Sequence, residues 1–83
     1  MSKKQKLLQQ ILNNPKNVSF KDMASLAEAF GFTLSRINGS HHIFTHPQIS
    51  ELVNIQNSQG QAKPYQVKQF LAIVESHNLT LED

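Results

Sequence analysis

The dipeptide Asn38-Gly39 constrains this chain more than any other feature. Both residues tolerate a positive φ, so the pair predicts a type I′ turn joining two antiparallel strands. The flanks agree. Before the turn, Phe32 and Leu34 alternate with Thr33 and Ser35 in FTLSRI; after it runs HHIFTH, closed by Pro47. A third strand is expected over ELVNIQ, residues 51–56, with Val53 and Ile55 on one face.

Helical spacing brackets these strands. Leu7, Leu8, Ile11 and Leu12 predict a helix over residues 3–13, stopped by Asn13-Asn14-Pro15. About three turns of helix are marginal alone, so this segment must dock on something. Ser19 and Asp22 stand in capping-box spacing, with aspartate in place of the usual glutamate. They open a helix over 20–30 whose stripe is Phe20, Met23, Ala24, Ala27 and Phe30, with Gly31 as its left-handed stop. NSQGQAK reads as a polar loop. Pro64 suits the first turn of a last helix, where Val67, Phe70, Leu71 and Val74 fall at i, i+3, i+4 and i+7. His77-Asn78 ends it. The order α-α-β-β-β-α implies an α+β fold: a three-stranded antiparallel sheet packed against helices, in one domain over residues 1–83.

Several function classes drop out on composition. The 83 residues include no cysteine, which removes disulfides, thiolate nucleophiles and cysteine-ligated zinc. No apolar run is long enough for a bilayer. MSKKQKLLQQ lacks the small-residue cleavage site of a signal peptide, so a cytoplasmic protein is expected. The net charge is only +2, but it is unevenly placed. Lys3, Lys4, Lys6, Lys16 and Lys21 precede the first acid, Asp22. Between Glu51 and Glu75 the only charges are Lys63 and Lys68. A polyanionic partner fits this distribution.

His41, His42 and His46 cluster directly after the turn. By count they suggest a metal site; by geometry they do not. Neighbours on a strand point to opposite faces, and His42 and His46 lie roughly 13 Å apart at about 3.3 Å per residue. Zinc needs its ligands within about 2 Å. No metal and no cofactor are expected. Catalysis is the second possibility, because histidine exchanges protons near neutral pH. RNA carries its own nucleophile, the 2′-hydroxyl beside the scissile phosphate. A base at that hydroxyl and cations at the phosphate could then suffice. The plainer alternatives are half-exposed strand histidines without chemistry, a module that grips duplex RNA by shape, or a partner-binding protein using apolar positions around Phe44 and Tyr65. The last helix holds only Lys68, preceded by Lys63, which is poor equipment for duplex binding.

From Asp22 to about Glu75 the chain resembles the HicA family of toxins from toxin–antitoxin pairs. The resemblance rests on Phe30-Gly31-Phe32, on Gly39-Ser40-His41 followed by Ile43-Phe44, and on the strand-loop-helix with Gly60 and Pro64. It implies a fold like the double-stranded RNA-binding domain for a core at 19–77, with residues 1–15 as an extra N-terminal helix. It implies a metal-independent endoribonuclease that cleaves mRNA and inhibits translation, with His41 as general acid/base. Gly39 would form the turn and Ser40 would help place the strand. Arg36, Lys63 and Lys68 are the candidate phosphate contacts beside Ser40. A HicB-type antitoxin that covers His41 is the implied partner. Two positions depart from the family pattern: Gln56 stands where proline is usual, and Ser58 where a second histidine is usual. The N-terminal helix could widen the RNA footprint through Lys3, Lys4 and Lys6. Covering an apolar edge is the favoured role, because its leucines must be buried somewhere.

Overall fold

The computed structural model describes residues 2–82. Its elements are α1 (Lys3–Asn13), α2 (Phe20–Ala29), β1 (Thr33–Asn38), β2 (His41–His46), β3 (Ile49–Ser58), β4 (Gln61–Ala62) and α3 (Pro64–Ser76). The expected α+β order holds, with one addition. The sheet is a four-stranded antiparallel meander, β1-β2-β3-β4, rather than a three-stranded one. The extra strand comes from the segment read as a polar loop. Gln59 (φ 56°) and Gly60 (φ 84°) both sit at positive φ, the requirement of a type I′ turn, and fold Gln61–Ala62 back on Asn57 and Ser58. Two residues are too few for any periodicity to show in sequence.

The first hairpin is also a correction. Asn38 ends β1 and pairs with His41, so the two turn residues are Gly39 and Ser40. Gly39 has φ 63°, and neither Asn38 nor Ser40 is positive. A glycine at positive φ followed by an ordinary residue is the sign pattern of a type II′ turn, not type I′.

Local chemistry sets the helix ends. Ser2 and Gln5 form a reciprocal capping box on α1: Ser2 Oγ accepts from the Gln5 N–H (3.2 Å) and Gln5 Oε1 from the Ser2 N–H (3.3 Å). Ser19 Oγ accepts from the Asp22 N–H at 3.1 Å, half of the expected box. Each such cap stabilises its helix by about 1 kcal/mol. Gly31 (φ 93°) and Asn78 (φ 52°) carry the left-handed stops after α2 and α3.

α2 and α3 pack on a single face of the sheet. Met23, Leu26 and Ala27 from α2, and Val67 and Phe70 from α3, meet Phe44, Val53 and Ile55 from the strands, all buried. Phe30, Phe32 and Phe70 make a ring cluster, with centroids 5.8 Å apart for Phe30–Phe70 and 5.4 Å for Phe32–Phe70. Phe44, offered above as an interface residue, is therefore core; Tyr65 stays exposed. α1 packs on α2 and buries Ile11, with Leu7 and Leu8 half-buried. The helix layer does not reach across β1, so Leu34 and Ile37 remain open to solvent. Among the described residues, no helix is long and apolar enough to cross a membrane.

Candidate active site

Register decides which histidine faces where. On β2, His42, Phe44 and His46 point toward the helices; His41, Ile43 and Thr45 point to the other face, which no element among the described residues covers. His42 stacks its ring 4.5 Å from that of Phe20, and its Nδ1 lies 3.2 Å from the Ser40 carbonyl oxygen. His46 is buried, with Nε2 3.1 Å from the Phe30 carbonyl. The three do not converge. Among the described residues, no three His, Cys, Asp or Glu side chains are grouped to hold a metal ion.

His41 opens β2 on the uncovered face and is half-exposed. Its position is fixed from three sides. The tight Gly39-Ser40 turn precedes it, Asn38 and Gln56 flank it in register, and the Asn57 N–H donates to the Ser40 carbonyl at 2.8 Å. Asn54 shares the face, two residues from His41's direct partner, and its Oδ1 lies 3.1 Å from His41 Nδ1.

The three cations expected at the phosphate, Arg36, Lys63 and Lys68, lie in different places. Arg36 is exposed opposite Ile43, so it shares the face with His41 as a diagonal neighbour, about 7–8 Å away. Lys63 follows β4 directly. It is the N-cap residue of α3, and the β3–β4 ladder ends before it, at Ala62. Lys68 is exposed on α3, the helix that packs against the opposite face, and is not brought to His41. Ser40 is exposed at the turn beside His41. β1 and β2 carry no acid, and Glu51 of β3 is bonded to His77 Nε2 at 3.1 Å.

Asn54 has no counterpart in the sequence-derived candidates. It stands thirteen residues from His41 and meets it only because the β2–β3 register is what it is. Gln66 was equally hidden. It is buried, and its Oε1 accepts from the Gln56 N–H at 2.7 Å, where β4 is too short to continue the ladder. Gln56, one of the two departures from the family pattern, thus uses an N–H that proline would lack.

Fold and face together define a small α+β domain that offers a histidine and an arginine on an open antiparallel sheet. Residues 20–75, more than half of the chain, match the family described as the HicA toxin of bacterial toxin–antitoxin pairs, and the chain belongs to that family. No curated protein matches the chain.

Proposed function

We propose that this toxin is an endoribonuclease that cleaves mRNA and blocks translation, with His41 as the proton-transfer group. The supporting observation is the placement of His41: rigidly held, half-exposed, on an uncovered face with Arg36 beside it and no acid on β1 or β2. An acid-free face admits a polyanion, and the edge of a tight hairpin gives an extended strand of RNA room to lie across it.

The step needs no group beyond the chain and water. His41 Nε2 removes the proton of a 2′-hydroxyl, and the 2′-oxygen attacks the adjacent phosphorus. The O2′–P bond forms while the P–O5′ bond breaks, and the departing 5′-oxygen takes a proton from water. The products are a 2′,3′-cyclic phosphate and a 5′-hydroxyl. Arg36 stabilises the extra negative charge on the phosphoryl oxygens, and Lys63 and Ser40 hold flanking phosphate. Lys68 lies toward the other face and contributes at most long-range attraction. As a member of a toxin–antitoxin family, the protein has an antitoxin as its partner, of HicB type; an antitoxin that lies on the open face would block substrate and catalyst together.

The test is degradation of an unstructured RNA by purified unaltered protein, His41→Ala and His42→Ala. His41→Ala loses at least about a hundredfold in rate, the scale of general acid–base catalysis. His42→Ala, altered on the opposite face, keeps most of it. Equal rates for His41→Ala and the unaltered protein sink the reading.

A further inference from the structure

We infer that Asn54 is a positioning residue for His41, holding the proton on Nδ1 and leaving Nε2 as the basic nitrogen turned toward substrate. The inference rests on the role proposed for His41, and it starts from one contact: His41 Nδ1 and Asn54 Oδ1 are 3.1 Å apart.

An amide oxygen only accepts. If the neutral ring carried its proton on Nε2, two lone pairs would face each other across that distance. With the proton on Nδ1 the same distance is an ordinary hydrogen bond. Free histidine prefers the opposite tautomer, so the contact selects a form that the side chain does not favour alone. The bond made by one ring nitrogen decides the state of the other.

The arrangement also suits the charged intermediate. Once Nε2 has taken a proton, Nδ1–H still points at Oδ1, and the bond gains strength as a charge-assisted one. A third group that orients the base is a recurring part of such sites. Here the orienting group is a neutral amide, so it fixes the ring without adding negative charge to a face that must accept phosphate. The charged groups around His41 are few. Arg36 faces it from β1, β2 has no acid, Lys63 stands at the β4 edge, and Glu51 of β3 is engaged with His77. Among the described residues, the hydrogen-bond partner of His41 Nδ1 is Asn54 and not a carboxylate.

Sequence could not reveal the pair. Asn54 sits diagonal to His41 across β2–β3, and the bulge near Phe44 and His46 sets how the two strands slide. Both side chains are at the surface, so the contact survives against water only because the sheet pre-places its two ends.

Ring nitrogen–proton correlation spectra of the full chain decide the matter, recorded at alkaline pH, where imidazole rings are neutral, on the unaltered protein, Asn54→Ala and Asn54→Asp. The unaltered protein shows His41 as the Nδ1–H tautomer. Asn54→Ala reverts it to Nε2–H and lowers kcat by about tenfold to a hundredfold with KM for RNA unchanged. Asn54→Asp keeps the Nδ1–H tautomer and restores most of the rate, because a carboxylate also accepts from Nδ1–H. An Nε2–H tautomer in the unaltered protein, or no change of tautomer in Asn54→Ala, overturns the role of Asn54. Failure of the catalytic reading registers separately: His41→Ala then cleaves RNA at full rate, while the spectra still decide what Asn54 does.

Discussion

His46 Nε2 donates to the carbonyl oxygen of Phe30 across 3.1 Å, tying the end of β2 to the cap residue of α2. The other ring nitrogen, Nδ1, accepts from the Gln48 N–H, also at 3.1 Å. Both nitrogens are thus committed in a side chain that is 7% exposed and lies edge-on to Phe32 at 5.0 Å. The bond satisfies one of the carbonyls that every helix leaves unpaired at its C-terminus. His46 serves the fold, whereas His41, five residues away, is half-exposed on the other face.

His46→Leu therefore costs stability. It keeps the volume but strands the Phe30 carbonyl and the Gln48 N–H, at about 1–3 kcal/mol for a buried group left unpaired. His41→Ala, at a half-exposed position, stays within about 0.5 kcal/mol of the unaltered protein. Urea unfolding followed by circular dichroism separates the two. A neutral His46→Leu would show that the ring only fills space.

Gln66 and Gln56 are coupled. Gln66→Leu leaves the Gln56 N–H without a partner and destabilises by about 1–3 kcal/mol. Gln56→Pro removes that donor, so Gln66→Leu costs less in its presence. The double variant is then less destabilised than the sum of the singles, by about 1 kcal/mol or more. Strict additivity in denaturant titrations would mean that the bond adds nothing to the fold.

Gly31 and Gly39 both need positive φ, but for unequal reasons. A Cβ at Gly39 meets nothing within 4 Å, so Gly39→Ala costs only the backbone strain, about 1–2 kcal/mol. At Gly31 the φ of 93° is further from what an L side chain accepts, and the Cβ would fall 2.5 Å from Glu82 Oε2 and 3.0 Å from His46 Nε2. Gly31→Ala is expected to be the more destabilising of the two. The Glu82 carboxylate can swing aside, but the His46 ring is buried and held by its hydrogen bond to Phe30. Thermal melts rank the pair, and equal losses would count against a crowded Gly31.

Periodicity made much of this architecture legible. α1 over 3–13 and the start of α3 at Pro64 follow from apolar spacing and proline, and β2 over 41–46 from its bounding turn and Pro47. What stayed hidden depends on pairing. The Gly39-Ser40 turn differs from an Asn38-Gly39 turn only in which residues oppose each other. β4 exists because Gln59-Gly60 reverses the chain beside β3. The His41–Asn54 and Gln56–Gln66 contacts join residues 13 and 10 apart, with no local signal. Strand alternation alone assigned His41 and His42 to opposite faces. Which of those faces the helices would cover was not in the pattern.

α1 is expected to act as cover rather than as an RNA contact. Ile11 is buried in the shared core, so Ile11→Ala destabilises by about 2–4 kcal/mol. Lys3 and Lys6 are exposed on a helix that packs on α2, away from the open sheet face, while Lys4 Nζ donates to the Glu82 carbonyl. The paired change Lys3→Gln and Lys6→Gln should leave the KM for RNA within about twofold, since these charges are distant and screened at physiological salt. Arg36→Gln, beside His41, should raise KM or lower kcat about tenfold or more. Steady-state cleavage of one fluorescent RNA by each variant makes the comparison. A larger effect from the α1 lysines than from Arg36 would move the RNA path off the open sheet and onto the N-terminal helix.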